Sequence, residues 1–187
     1  PLDMVEQLAT SDDDKATVYF MRGAMYERTK HYAAAETEFR KALAIDSGNA
    51  AVLNYLGYML ADRGVRLEEA LKLISQAVDL DPNNGAYLDS LGWVYYRMDK
   101  LEEAETYLRR SLERMSHDAT VHDHLGDVLA KRGKLKEAVA AWQVSLQEWE
   151  ASSASDKDPA EMAKIGKKLE GAKVRLAQES SAPSPRP

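Results

Sequence analysis

Gly23, Gly57, Gly92 and Gly126 stand 34, 35 and 34 residues apart, and Ala35, Ala70, Ala104 and Ala138 follow at 35, 34 and 34. A fixed period of this length marks a stacked array of helical units, each touching only its neighbours. The period settles the architecture before any single side chain is weighed, and it directs function towards binding. The 187 residues, 44% hydrophobic and 30% charged, supply one elongated core beneath a well-solvated, helix-rich surface.

One unit shows the chemistry of the repeat. From Gly85 to Asp118, the apolar Leu88, Leu91 and Tyr95 recur at helical spacing, Asp99 and Lys100 interrupt, and Leu101, Ala104, Leu108 and Leu112 give a second helix. Each unit is therefore expected to be an antiparallel helix pair joined by a short turn. Gly92, Ala104 and Ser111 are small because the helices must approach closely, while Tyr95 and Leu108 fill the space beside them. The units run 16–49, 50–84, 85–118 and 119–152, with Tyr19, Tyr26 and Phe39 in the first, Leu53, Leu60 and Ile74 in the second, and Leu125, Leu129 and Trp142 in the fourth. The second has one extra residue, placed in the turn Arg63, Gly64, Val65, Arg66, where an insertion costs little.

This order of Gly, Tyr or Leu, Ala, aromatic, Ala and Pro resembles the tetratricopeptide repeat (TPR) over residues 16–152. The resemblance implies an all-α, right-handed TPR solenoid of antiparallel helix pairs. Arg22 and His122 depart from it, standing where large apolar residues are usual, and Pro occurs only at Pro82 among the equivalent turn positions. Asp46, Ser47, Gly48 and Asn49 make a turn without it. The stretch from Tyr87 to Arg97 is similar to bacterial TPR proteins, many of which are envelope lipoproteins or assembly adaptors.

The flanks are expected to close the array. Asp158 and Pro159 read as an N-cap and first-turn proline, and Met162, Ile165, Leu169, Ala172 and Leu176 form one apolar stripe. Residues 153–179 are thus a linker and a capping helix laid on Trp142 and Leu146. Its other face bears Lys164, Lys167, Lys168 and Arg175, expected to be solvated, with an anionic membrane or partner contact as the alternative. Gly166 and Gly171 weaken this helix unless close packing uses them. Residues 1–15, with Met4, Val5 and Leu8, are read as a short, loosely packed helix or part of an upstream unit, and 180–187 as a disordered tail. The absence of an initiator Met suggests a fragment or a processed chain.

On the first helix of each unit, the side opposite the core lines the concave groove of a TPR stack. Candidate ligand contacts there are Phe20, Asn54, Tyr58, Asp89, Trp93, Tyr96, Arg97, Asp123 and Asp127. Large rings supply most of the binding energy at interfaces, and the acids and amide accept from backbone N–H, Lys or Arg. The lining suits a protein or peptide segment with apolar anchors and basic groups, extended or helical. The competing reading is that neighbouring units bury the rings. TPR adaptors that clamp a chaperone's terminal carboxylate need Lys, Asn and Arg at groove positions that here hold Phe20, Ala24, Tyr55, Ala86 and Ser90, so that role is disfavoured.

Other classes fall away. With 25 basic against 31 acidic residues, the net charge of −6 disfavours nucleic acid. Cysteine is absent, which removes thiol chemistry and Cys-ligated zinc but is compatible with a bacterial cytoplasm and with a cell envelope. No run of 18 apolar residues suggests a spanning helix, and membrane contact is disfavoured. His117, Asp118, His122, Asp123, His124 and Asp127 are the one candidate metal or catalytic cluster, yet their spacing matches no metal motif and they are read as a surface cluster. The expectation is a non-catalytic interaction scaffold or adaptor without cofactor or metal. The alternatives are a docking module of a larger enzyme or secretion or assembly protein, and a self-associating module.

Overall fold

The computed structural model describes residues 11–181. Among the described residues eight helices form four antiparallel pairs: α1 (Asp12–Arg28) with α2 (Tyr32–Ile45), α3 (Ala50–Asp62) with α4 (Leu67–Leu80), α5 (Gly85–Arg97) with α6 (Leu101–Leu112), and α7 (Ala119–Lys131) with α8 (Leu135–Ala151). The ninth, α9 (Pro159–Ser181), packs on α8. The chain is an all-α solenoid of stacked antiparallel helix pairs.

The capping chemistry repeats with the fold. Asn49, Asn84, Asp118 and Asp158 each take backbone N–H groups of the following first turn onto a side-chain oxygen, satisfying donors that a helix start leaves open. Ser11 and Asp14 form a capping box at α1, so residues 11–15, grouped by the sequence with the segment ahead of the first unit, start α1 itself. Met4, Val5, Leu8 and residues 182–187 lie outside the described residues; Ser180 and Ser181, read as tail, end α9.

Inside each pair the turn follows one template. Lys30, Gly64, Asp99 and Gly133 all take positive φ (62°, 66°, 64° and 78°). The N–H groups of His31, Val65, Lys100 and Lys134 then reach back to Tyr26, Leu60, Tyr95 and Leu129 carbonyls at 2.8–3.0 Å, a left-handed C-terminal cap. The extra residue of the second unit lies in this turn as expected, and Arg66 absorbs it with a second positive φ of 48°.

The four glycines are where the helices of a pair touch. A Cβ on Gly23 would stand 2.6 Å from Phe39, on Gly57 2.6 Å from Ile74 and on Gly92 2.7 Å from Leu108, and on Gly126 it would collide with the Trp142 indole. Any larger residue forces the pair apart. Ala35, Ala70, Ala104 and Ala138 face this seam at 0% exposure. Ser111 and Ser145 are equally buried because each hydroxyl donates to a carbonyl across the pair, of Gly85 (2.8 Å) and Ala119 (2.6 Å).

Two buried clusters run end to end, one through the first two pairs to Val94 and one from Ala104 to Ala172, and Tyr95 and Tyr96 pack against both. Ile165, Leu169 and Ala172 of α9 join the second cluster beside Trp142, as the capping stripe predicts. Gly166 and Gly171 meet nothing within 4 Å, so close packing does not use them. No helix among the described residues is long and apolar enough to cross a membrane.

Candidate functional site

The first helices of the pairs, α1, α3, α5 and α7, set their non-seam faces side by side. Three recesses follow one another along them. A recess of about 420 Å³ holds Phe20 and Tyr55, and one of about 330 Å³ holds Asn54, Tyr55, Tyr58 and Asp89. A third, of about 390 Å³, holds Tyr58, Trp93, Asp123 and Asp127. Tyr55 is common to the first two and Tyr58 and Thr120 to the second and third, so the depressions adjoin one another along the helices.

The sequence-selected residues lie along this path at unequal depths. Asn54, Asp89 and Trp93 are each only 9% exposed, whereas Phe20, Tyr58, Tyr96, Arg97, Asp123 and Asp127 are half-buried. Trp93 is a member of the core cluster and is stacked between Tyr96 (centroids 4.9 Å, 24° between planes) and His124 (4.1 Å, 18°). Truncating it would disturb packing, so the expectation that neighbouring units bury groove rings holds for this one. Phe20 stands at the other end, edge-on to Tyr55 at 5.1 Å. Arg97 lies 5.9 Å over the Trp93 ring and donates from Nη1 to the Asp62 carbonyl, tying the second unit to the third. Lys131 crosses the Tyr96 ring at 5.1 Å and pairs with Asp99 at 2.7 Å.

Two charge clusters occupy the third recess. His124 Nδ1 lies 2.8 Å from Asp89 Oδ1, with the imidazole 6% exposed. Burial alone lowers the pKa of such a ring, but Asp89, backed by Asp123 and Asp127, outweighs it and the net shift is upward. The second cluster has Lys168 of α9 donating to Asp123 Oδ1 (2.9 Å) and Oδ2 (3.0 Å) and to Asp127 Oδ2 (2.8 Å). Burial and then the Asp123 carboxylate raise the Asp127 pKa, with Lys168 opposing. Burial likewise pushes up the Tyr58 hydroxyl, with Asp89 and Asp62 adding to it.

These contacts correct two expectations. The histidines are not one surface cluster: His124 is buried on Asp89, His117 is exposed beside Glu148 (3.0 Å), and His122 Nε2 sits 2.9 Å from the Ser116 carbonyl. Among the described residues no three His, Cys, Asp or Glu side chains come together as a metal site. Nor is the whole basic face of the capping helix solvated, since Lys168 turns into the array. The signal for this was present: Lys168 lies three residues after Ile165 and four before Ala172, inside the apolar stripe, where a charge needs a partner.

Tetratricopeptide repeat family models match residues 16–49, 49–116 and 90–153. A TPR repeat-containing protein of Pseudomonas aeruginosa is 44% identical over 108 residues, 58% of this chain and 18% of that protein. The type IV pilus assembly protein PilF of the same organism is 31% identical over 122 residues, 64% of this chain and 48% of its own length. The chain therefore spans about a fifth of the first relative and half of the second. A solved structure of Pseudomonas aeruginosa PilF superposes with a TM-score of 0.65 at 24% identity, covering 95% of this chain and 81% of that one, and it shares the fold.

Proposed function

Since the chain belongs to the tetratricopeptide repeat family and is a protein-interaction module, we propose that its concave groove binds a peptide or protein segment carrying apolar anchors and basic groups. The observation that carries this reading is the row of three recesses adjoining at Tyr55, Tyr58 and Thr120, along helices packed on the stacked cores. A preformed track loses little entropy when a segment enters it. The Asn54 side-chain oxygen, buried without a hydrogen-bond partner among the described residues, borders the track as an acceptor for a ligand N–H. Half-buried Tyr58 and Tyr96 offer rings, and Asp62 and Asp89 offer negative charge.

The module acts by display, without catalysis or cofactor. The greater length of the relatives, one of them a pilus assembly protein, favours a docking role inside a longer assembly protein as the second reading. Peptides selected on the intact chain should be enriched in leucine, aromatic residues, lysine and arginine. Tyr58→Ala and Asn54→Ala should each weaken capture at least tenfold with the far-ultraviolet helical signal unchanged. Undiminished capture by both folded variants would remove the groove from consideration.

A further inference from the structure

Lys168 is the feature that neither the repeat pattern nor the capping role of α9 requires. Its ammonium comes from outside the four pairs and donates three hydrogen bonds to two groove carboxylates, 41 and 45 residues earlier in the chain. The side chains of Asp123 and Asp127 are only 14% and 15% exposed. Two carboxylates sharing one ammonium in so dry a place repel each other, and burial first, then Asp123, pushes the Asp127 pKa up. They are stable as a pair of anions only with a cation between them. The recess they line continues past Trp93 to Tyr58, so a cation arriving along the groove reaches the same two acids.

The element that delivers Lys168 is lightly held. Only Ile165, Leu169 and Ala172 of α9 are buried, its linker 153–158 is exposed, and Gly166 and Gly171 face open space, where each weakens the helix by about 1 kcal/mol relative to alanine. The seams of the four pairs, built on their own glycines and alanines, do not depend on it.

Building on the groove reading above, we propose that Asp123 and Asp127 form a subsite for the ammonium or guanidinium group of a protein partner's lysine or arginine. In the free chain Lys168 fills that subsite from within. A basic partner side chain and Lys168 are then exclusive occupants, and the partner's apparent affinity is reduced by the fraction of molecules in which α9 is docked. The exchange makes no demand on the rest of the groove, where Tyr58 and Asn54 engage the segment in either case.

The test is calorimetric titration of the full chain with a short blocked peptide alternating leucine and lysine, against the same peptide with glutamine for lysine. Lys168→Ala should bind the lysine peptide about tenfold tighter than wild type, leave the glutamine peptide unchanged, and lose the gain when Asp123→Asn and Asp127→Asn are added. Leu169→Asn, which loosens α9 without touching either acid, should give a gain in the same direction, so a folding defect in one variant does not decide the matter. Equal affinity in wild type and both α9 variants overturns the proposal, as does an equal gain for the glutamine peptide or a gain that survives removal of the acids. The gain with no effect of Tyr58→Ala would sink the aromatic track alone. A loss on Tyr58→Ala with no effect of the α9 variants would sink the lysine subsite alone.

Discussion

The first and last of the four described helix pairs share a template but close their outer sides in different ways. In the α1–α2 pair, Arg22 sits where the other units carry Leu56, Leu91 and Leu125, and its guanidinium pairs with Glu38 at 3.2 Å in a seam where both residues are buried. Lys41 adds a second cation to Glu38 at 2.6 Å, and the outer side of α1 exposes Met21 (55%) and Met25 (36%). The α7–α8 pair instead sets the Trp142 indole against Gly126 and is covered by Ile165 and Leu169 of α9. A unit inside a stack has apolar neighbours on both sides. Among the described residues the first and last pairs have a neighbouring pair on one side only, and in them the sequence departs from its own repeat.

The sharpest way to break this contrast is a charge at each end. Ile165→Asp places an unpaired carboxylate at a site 1% exposed and should lower the unfolding free energy by about 3 kcal/mol, with amides of α9 losing hydrogen-exchange protection first. Met21→Asp should stay within about 0.5 kcal/mol in urea unfolding. Equal effects would mean the two ends are not different in kind.

The ionic seam gives the next effect. Arg22→Leu strips Glu38 of a buried partner and should cost about 3 kcal/mol, whereas Arg22→Leu with Glu38→Leu should be neutral or stabilising, because matched apolar side chains avoid desolvating two charges. A double variant as unstable as the single would show that the ion pair has a role beyond its own pairing.

Titration separates the ends further. His124, in the last pair, has its pKa raised in the folded state by Asp89, so its contribution to stability is complete below about pH 6.5 and is lost as pH climbs through the folded value. Melting temperature should fall as pH rises above about 6.5, and His124→Gln should flatten the fall. Asp127 is also raised, by burial and then by Asp123, so its contribution too is present below about 3.8 and is lost as pH climbs through its folded value.

The smallest effect is a gain. Gly166→Ala and Gly171→Ala, each with open space around the new methyl, should stabilise α9 by about 0.5–1 kcal/mol apiece. On the lysine-subsite proposal they also tighten the hold of Lys168 and weaken binding of a basic peptide.

The seam was legible in the sequence because a glycine, an alanine and a bulky residue recurring at 34 or 35 leave one helical arrangement in which they meet. The extra residue at Arg63–Arg66 was legible for the same reason: a break in a period has to fall where the chain is free. The groove was legible as a face but not as a depth. Trp93 and Tyr58 occupy the same groove position in successive units, yet Trp93 is sandwiched between Tyr96 and His124, the latter from the following unit, a contact that depends on how two units are rotated against each other. The pairing of His124 with Asp89 has the same origin, 35 residues apart and carried by the stacking angle alone. Lys168 was misread because a basic helix face suggests solvent, although its place within the apolar stripe pointed inward.

The cross-unit hydrogen bonds that join groove and cap span at most 45 residues. Such short reach has a consequence for synthesis. A ribosome adding about 5–20 residues per second releases one helix pair every few seconds, and each pair can close against its predecessor before the next one emerges. Asp123 and Asp127 leave the tunnel well ahead of Lys168, so during translation the acidic couple spends its first moments without its internal counter-ion. A basic partner already waiting at the ribosome would meet it then, before the last helix has competed for the place.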